Sequence, residues 1–325
     1  VATITAVVTG SDNAGGSGLN GGVYWIDGSG TTPPVGAIAF AGATSPITIS
    51  GINVSALTAG NHNLRVRLQD VAGNVSAVFT RQFTVSIPQP PLYFSTAGNT
   101  NPPGVGGSAD DADIYFYNGS VFSRAIDVTA ITNPVPGGAN VDGFDRIDNT
   151  HFYLSFDGAV TLPVLGTVQD EDVVFYNAGA WSLFFDGSVN GLVSTNFDLD
   201  AISIVGGTLF FSTDNTNVPP GAGGTGDDAD IYQWNGGSSY MRVVDASTIG
   251  IPSSGFSNAN VDGFVRVDST HFYLSFSGDT TVSGPGAVQD EDVIYYNNGL
   301  WSTYFDGTTL GLTSGNLDLD AFDLP

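Results

Sequence analysis

Short runs in which apolar and polar residues alternate, each bounded by Gly, Asn, Asp or Pro, follow one another along the whole chain. A period of two puts successive side chains on opposite faces of a strand, so the pattern predicts an all-β protein. Over residues 1–87 the runs are Ala2-Thr3-Ile4-Thr5-Ala6-Val7-Val8, Val23-Tyr24-Trp25-Ile26, Ile47-Thr48-Ile49, Leu64-Arg65-Val66-Arg67-Leu68 and Phe83-Thr84-Val85. Their spacing predicts a β-sandwich. Ile87-Pro88-Gln89-Pro90-Pro91 follows, predicting a short stiff linker over 88–91.

From Leu92 onward one arrangement is repeated four times, about every 60 residues. Its markers are Asp111-Ala112-Asp113, Asp170-Glu171-Asp172, Asp228-Ala229-Asp230 and Asp290-Glu291-Asp292, each followed by an Asn-and-Gly turn and a second aromatic run. The second copy predicts strands at Phe152–Phe156, Asp172–Tyr176, Trp181–Phe185 and Asp200–Val205, with Asn177-Ala178-Gly179 closing the middle hairpin. Four strands in each of four such repeats predict a four-bladed β-propeller over 92–325. The repeats begin with the strand that is second in a blade and end with Asp320-Ala321-Phe322-Asp323-Leu324, which then supplies the innermost strand of the first blade and hides two edges. Asn140-Val141-Asp142-Gly143-Phe144 returns as Asn260-Val261-Asp262-Gly263-Phe264, and Thr150-His151-Phe152 returns as Thr270-His271-Phe272, so a two-unit block was duplicated after its halves had diverged.

Charge narrows the partners. The formal net charge is −25; all seven basic residues are Arg, and of 32 acidic residues only Glu171 and Glu291 are Glu. Such a chain repels nucleic acid and anionic membrane surfaces. Cations are its natural partners, and Asp is the shorter, turn-forming carboxylate that ligates hard cations. With no cysteine there is neither a disulfide framework nor thiol chemistry. No apolar stretch is long enough to span a membrane, and the chain begins at Val1 rather than Met, which suggests that preceding residues are removed. The balance of Asp, Thr, Asn and Gly points to a secreted, extracellular β-protein in which calcium replaces disulfides.

Two sets of Asp are candidate calcium ligands. The first comprises the pairs Asp111 with Asp113, Asp170 with Asp172, Asp228 with Asp230 and Asp290 with Asp292. Two residues apart at a strand entrance, both carboxylates of a pair fall on one face, where a cation or wide solvation must relieve their repulsion. The alternative is turn chemistry, with Asp accepting from backbone N–H groups. The second set, Asp142, Asp200, Asp262 and Asp320, lies together around the central channel if the innermost-strand assignment holds, and Asp198 and Asp318 can add to it; the alternative to a cation there is hydrogen bonding at the strand starts. Asp127, Asp186, Asp245 and Asp306 follow an apolar strand and read as turn residues. His151 with His271, Arg124 with Arg242, Arg146 with Arg266 and Trp181 with Trp301 recur across the duplication; the histidines read as structural, the arginines as neutralising Asp clusters, and the tryptophans as packing.

Gly15-Gly16-Ser17-Gly18, Val23-Tyr24-Trp25-Ile26-Asp27-Gly28, and the run from Gly60-Asn61-His62 through Asp70-Val71-Ala72-Gly73-Asn74 to Phe83-Thr84-Val85 carry a resemblance of residues 1–87 to bacterial immunoglobulin-like surface domains. That resemblance implies a spacer or adhesive stalk. Asp142-Gly143-Phe144, Asp200-Ala201-Ile202, Asp262-Gly263-Phe264 and Asp320-Ala321-Phe322 resemble the strand openings of the four-bladed hemopexin fold, although the disulfide joining its ends is impossible here. The aromatic-Ser, Asp-x-Asp, Trp-Ser and Phe-Asp-Gly elements also resemble Asp-rich repeats of secreted bacterial proteins. Ser155-Phe156-Asp157-Gly158 resembles part of a sialidase Asp-box, but the following Trp is missing and its mate reads Ser275-Phe276-Ser277-Gly278.

Polar groups that recur in pairs leave no unique reactive residue, and Lys and Cys nucleophiles are absent, so the sequence argues against an enzyme. The expected function is a calcium-stabilised structural surface protein: a subunit of a fibre, sheath or surface layer, or an adhesin module. Its expected partner is itself, through head-to-tail contacts or strand exchange, or else surface glycans. The alternatives are a calcium-dependent carbohydrate-binding propeller and, less favoured, a glycoside hydrolase using an Asp pair.

Overall fold

The computed structural model describes every residue except 1, 13–14, 58–59, 86–87, 193–196, 253–258 and 314. Ile87, just before the expected linker, is outside the described residues. The chain is all-β and forms two compact units, Val1–Ile87 and Pro88–Pro325. No helix among the described residues is long and apolar enough to cross a membrane.

In the first unit a two-stranded sheet, Thr3–Val8 with Ile47–Asn53, accompanies a four-stranded sheet ordered Ile38–Phe40, Leu19–Ile26, Gly60–Asp70, Phe79–Val85. The alternation seen in the sequence becomes alternating burial: Leu64, Val66 and Leu68 of the longest strand point into a core shared with Tyr24, Ile47, Ile49 and Ile52. His62 is structural, its Nδ1 2.7 Å from Asp27 Oδ2 and its ring against Phe83.

The second unit holds four antiparallel four-stranded sheets. From inside outward, the first is Leu319–Asp323, Leu92–Thr96, Asp113–Tyr117 and Phe122–Asp127. The second is Val141–Asp148, His151–Phe156, Val173–Asn177 and Ala180–Phe185. The third is Ile202–Val205, Thr208–Phe211, Ile231–Trp234 and Tyr240–Val244, and the fourth is Gly263–Arg266, His271–Ser275, Val293–Asn297 and Leu300–Phe305. The chain's last strand thus completes the sheet that Leu92–Thr96 begins, with Phe322 opposite Phe94. Each inner strand packs against the inner strands of the preceding and following sheets, and the fourth packs against the first, so the four surround a common axis. Hairpins Val160–Leu162 with Gly166–Val168 and Thr280–Val282 with Gly286–Val288 are additional to the four strands expected per repeat. The expected linker does not stand apart: Gln89 is buried, and its Oε1 accepts from the N–H of Asp306 at 3.0 Å.

Side chains tie each sheet to the next. Ser95 Oγ donates to Val141 O at 3.1 Å and Ser212 Oγ to Val261 O at 2.8 Å, whereas the repeat mates Ser155 and Ser275 have a buried Oγ without such a partner. A Cβ on Gly143 would fall 2.1 Å from Ser155 Oγ, and one on Gly263 2.4 Å from Phe322, so close approach of neighbouring strands excludes any side chain there. At the far end of the inner strands, Asp323 Oδ2 accepts from the N–H of Arg146 at 2.7 Å and Asp145 Oδ2 from that of Ile204 at 2.6 Å. Ser203 Oγ accepts from Arg266 N–H at 3.2 Å in the same way. The corresponding residue of the fourth sheet, Val265, has no oxygen with which to make the fourth such clasp.

Burial pushes Asp323 up to about 7, with the nearby charge of Asp145 adding to it, and burial pushes Asp145 up to about 6. Both lie above the ordinary 3.8, so the stability they contribute is fully present below that pH and is lost as pH rises through 6 to 7. Asp323→Asn, neutral throughout, should therefore gain on wild type by roughly 2 kcal/mol between pH 4 and pH 8, read from denaturant midpoints. A constant difference across that range would remove this assignment.

Candidate metal centre in the axis of the four-sheet unit

In three of the four Asp-x-Asp pairs one carboxyl acts on the other, raising Asp172, Asp228 and Asp292. The second Asp is held inside its own sheet. Asp113, fully buried, has its Oδ2 3.0 Å from Arg124 Nε and accepts there from the N–H of Asp110 and the hydroxyl of Tyr115, both at 3.2 Å. Asp230 repeats this with Arg242 Nη1 at 2.8 Å and Tyr232 OH at 3.3 Å. In the second and fourth sheets no Arg takes part. Asp172 accepts from the N–H of Gln169 and Gly187, both at 2.9 Å, and Asp292 from those of Gln289 and Gly307, both at 3.0 Å. Burial pushes Asp113 and Asp292 up to about 6. Asp172, Asp230 and Asp292 thereby fasten the turn after the outermost strand, as in the turn alternative, whereas Asp113 Oδ1 is buried without a hydrogen-bond partner. The first Asp of each pair lies in a turn ahead of the strand, where strand alternation does not apply.

The first Asp of three pairs also acts on carboxyls outside its pair. Asp111 and Asp170 raise the pKa of Asp157, Asp111 acts on Asp320, Asp170 on Asp198, and Asp290 on Asp318 and Asp262. Asp228, the corresponding residue of the third repeat, is buried with an Oδ1 that has no hydrogen-bond partner.

The inner strands contribute the second set. Asp142 and Asp262 are each 5% exposed, and Asp142, Asp200, Asp262 and Asp320 act on one another across the axis. Burial is the leading cause by which all four rise above the ordinary carboxylate range, Asp320 to about 7; hydrogen bonds from Asn260 to Asp200 and from Asn140 to Asp320 oppose the rise, and neighbouring carboxylates add to it. Neutral donors are few: Asn260 Nδ2 donates to Asp200 at 2.5 Å, and Asn140 Nδ2 to Asp142 at 3.2 Å. Buried oxygens on Asp262, Asp320, Asn140 and Asn260 accept no hydrogen bond.

Among the described residues no guanidinium pairs with these carboxyls. Arg124 and Arg242 pair with Asp113, Asp127, Asp230 and Asp245. Arg146 and Arg266, expected to neutralise Asp clusters, instead lie over the rings of Tyr93 and Phe210, 4.1 and 4.4 Å from the centroids.

Two residues before the inner ring, just ahead of the strands, stand Asn140, Asp198, Asn260 and Asp318. Burial and then Asp170 push Asp198 up to about 8, whereas burial and then Asp290 push Asp318 to about 6. Carboxylate oxygens of Asp142, Asp157 and Asp198 all lie within 4.8 Å of one another. Asp110, Asp113 and Asp127 converge similarly, but around Arg124, which supplies their positive charge.

No protein-family model and no curated protein matches this chain. Two solved structures are similar in part, both auxiliary nutrient binding proteins. The one from Bacteroides thetaiotaomicron is 10% identical at a TM-score of 0.22, covering 82% of this chain and 48% of that one. The one from Bacteroides ovatus is 8% identical at a TM-score of 0.27, covering 81% of this chain and 60% of that one. The chain therefore spans about half to three fifths of those proteins, and at these TM-scores the likeness defines no common fold.

The remaining recurrent residues have structural partners. Asp186 and Asp306 cap turns by accepting from the N–H of Val189 and Thr309. His151 and His271 sit with Nδ1 against Asp148 and Asp268, and hydrogen bonds from Thr270 and His271 lower Asp268 to about 2. Trp181 and Trp301 donate their indole N–H groups to Asn133 O and Ile249 O and pack edge-on to Phe152 and Phe272. Asp157 and Asp214 are the axial residues that sequence reasoning missed. Both stand two residues after the Ser of the aromatic strand, in Ser155-Phe156-Asp157 and Ser212-Thr213-Asp214, a spacing that was open to view.

Proposed function

We propose that this is a secreted, calcium-stabilised structural protein of a cell surface, in which an immunoglobulin-like sandwich carries a four-bladed β-propeller. The observation that carries the reading is the inner ring of Asp142, Asp200, Asp262 and Asp320, with its orphaned oxygens and, among the described residues, no paired guanidinium. Like charges brought together in a low-dielectric interior are stable only if protonated or neutralised by a cation. Calcium suits the donors, since it accepts six to eight oxygens in irregular geometry from carboxylates and amide carbonyls alike, while magnesium demands a near-ideal octahedron. A structural role fits the fate of the other polar groups: the paired His and Trp side chains and the sheet-bound Asp residues are engaged within the fold.

The test is metal analysis of the dialysed full chain together with calorimetry in calcium and in chelator. Calcium at 1,000 times its dissociation constant should add about 4 kcal/mol per site. The transition of the four-sheet unit should rise accordingly, while that of residues 1–87 stays in place. Unchanged midpoints together with no bound calcium would end the calcium reading. Electron microscopy of native material tests the structural role, with ordered polymers as the expected result.

A further inference from the structure

The axial carboxylates are not distributed evenly, and the unevenness follows the block duplication. At the junction of the second and third sheets, Asp142, Asp157 and Asp198 converge within 4.8 Å, and Asp214 adds its charge to Asp198. The duplicated junction, between the fourth and first sheets, keeps Asp262 and Asp318 for Asp142 and Asp198. It carries Ser277 where Asp157 stands and Ala97 where Asp214 stands. Backbone bonding supports the second equivalence: the N–H of Ala97 reaches Asp318 O at 3.1 Å, as that of Asp214 reaches Asp198 O at 3.3 Å. Asp279, near Asp318, lies two residues beyond Ser277, is exposed, and joins no convergent set among the described residues.

Each junction also presents a carboxylate oxygen with nothing to bind. Asp198 Oδ1 at the first is buried without a hydrogen-bond partner, and so is Oδ1 of Asp262 at the second, on a side chain 5% exposed. The first junction thus combines three convergent carboxylates with an orphaned oxygen. The second has the orphan but is two carboxylates short.

We propose that the axis holds two unequal divalent-cation seats: a tight one at Asp142, Asp157 and Asp198, and a weak one at Asp262 and Asp318. This rests on the cation reading of the axis given above. Cation affinity in oxygen sites follows the number of charged ligands and their rigidity, so losing the counterparts of Asp157 and Asp214 weakens the second seat.

Calcium chloride titrated into the metal-stripped full chain tests this by calorimetry. Asp157, Ser277 and Ala97 are all exposed, so replacing them leaves the packed core intact, and circular dichroism melts check the fold. Wild type should show one tight and one weak class. Asp157→Ser should weaken the tight class by about tenfold or more, and Ala97→Asp with Ser277→Asp should convert the weak class into a second tight one. Two equal classes in wild type, or a weak class that the double variant leaves unchanged, would overturn the asymmetry while the cation reading stands. No calcium binding at any concentration would overturn both.

Discussion

Deletion of residues 316–325 is expected to leave a chain whose four-sheet unit does not fold. The deleted strand Leu319–Asp323 is the innermost of the first sheet, and Leu319, Ala321 and Phe322 are each at most 1% exposed. Burying a Leu or Phe contributes about 2–3 kcal/mol. Together with Leu317, itself buried, and the ladder to Leu92–Thr96, the loss is on the order of 10 kcal/mol, comparable with the whole stability of a domain. Leu92–Thr96, buried at every position, would become an exposed hydrophobic edge, which pairs with whatever strand it meets. Asp320 would leave the axial ring, and the clasp from Asp323 to Arg146 would be lost. The truncated chain should aggregate and be degraded by protease at concentrations where the full chain resists. Deleting residues 1–87, a separate compact unit, should leave the remainder folded. A truncated chain that stays monomeric and melts like wild type would show that the last strand is dispensable.

The legible part of this fold was the part governed by repetition. Four returns of one pattern exposed the strand order, and the phase of those returns assigned Leu319–Asp323 to the sheet begun by Leu92, because a repeat cut between its first and second strands must be rejoined at the far end. The inner Asp set was legible for the same reason, each member opening an equivalent strand. In the Asp-x-Asp pairs the first Asp stands in a turn, where alternation does not decide its direction: Asp111 acts on Asp320, and Asp113 pairs with Arg124. Arg146 and Arg266 were also misassigned, since charge balance alone does not reveal an aromatic face 4.1 or 4.4 Å away. Asp157 and Asp214 escaped notice because their copies in the other two repeats are Ser277 and Ala97. A position that varies among repeats looks incidental until the fold places all four copies in one ring.

Asp230→Ala is expected to destabilise the four-sheet unit by about 3–5 kcal/mol without removing a cation seat. Its side chain is fully buried, with Oδ2 2.8 Å from Arg242 Nη1 and Oδ1 accepting the N–H of Ala246 at 3.3 Å. The N–H of Asp227 and the hydroxyl of Tyr232 also point at Oδ2, each at 3.3 Å. Removing the carboxylate takes the nearer counter-charge from a guanidinium only 17% exposed, which keeps Thr225 O at 2.7 Å and Asp245 Oδ2 at 3.3 Å, and deprives the N–H groups of Asp227 and Ala246 and the Tyr232 hydroxyl of this acceptor. Desolvation of a charge left with its weaker partner adds to the lost hydrogen bonds in the cost. Arg242→Met placed on top of Asp230→Ala should therefore restore part of the stability, because it removes a buried charge that has lost its closest partner. Asp186→Ala, which costs one exposed turn cap, should lose only about 1 kcal/mol. Denaturant midpoints order the variants, and calcium titration of each asks whether stoichiometry changes. If Asp230→Ala abolishes a calcium site while its midpoint in chelator equals that of wild type, the carboxyl is a metal ligand after all, and the division of the Asp-x-Asp pairs between sheet and axis is wrong.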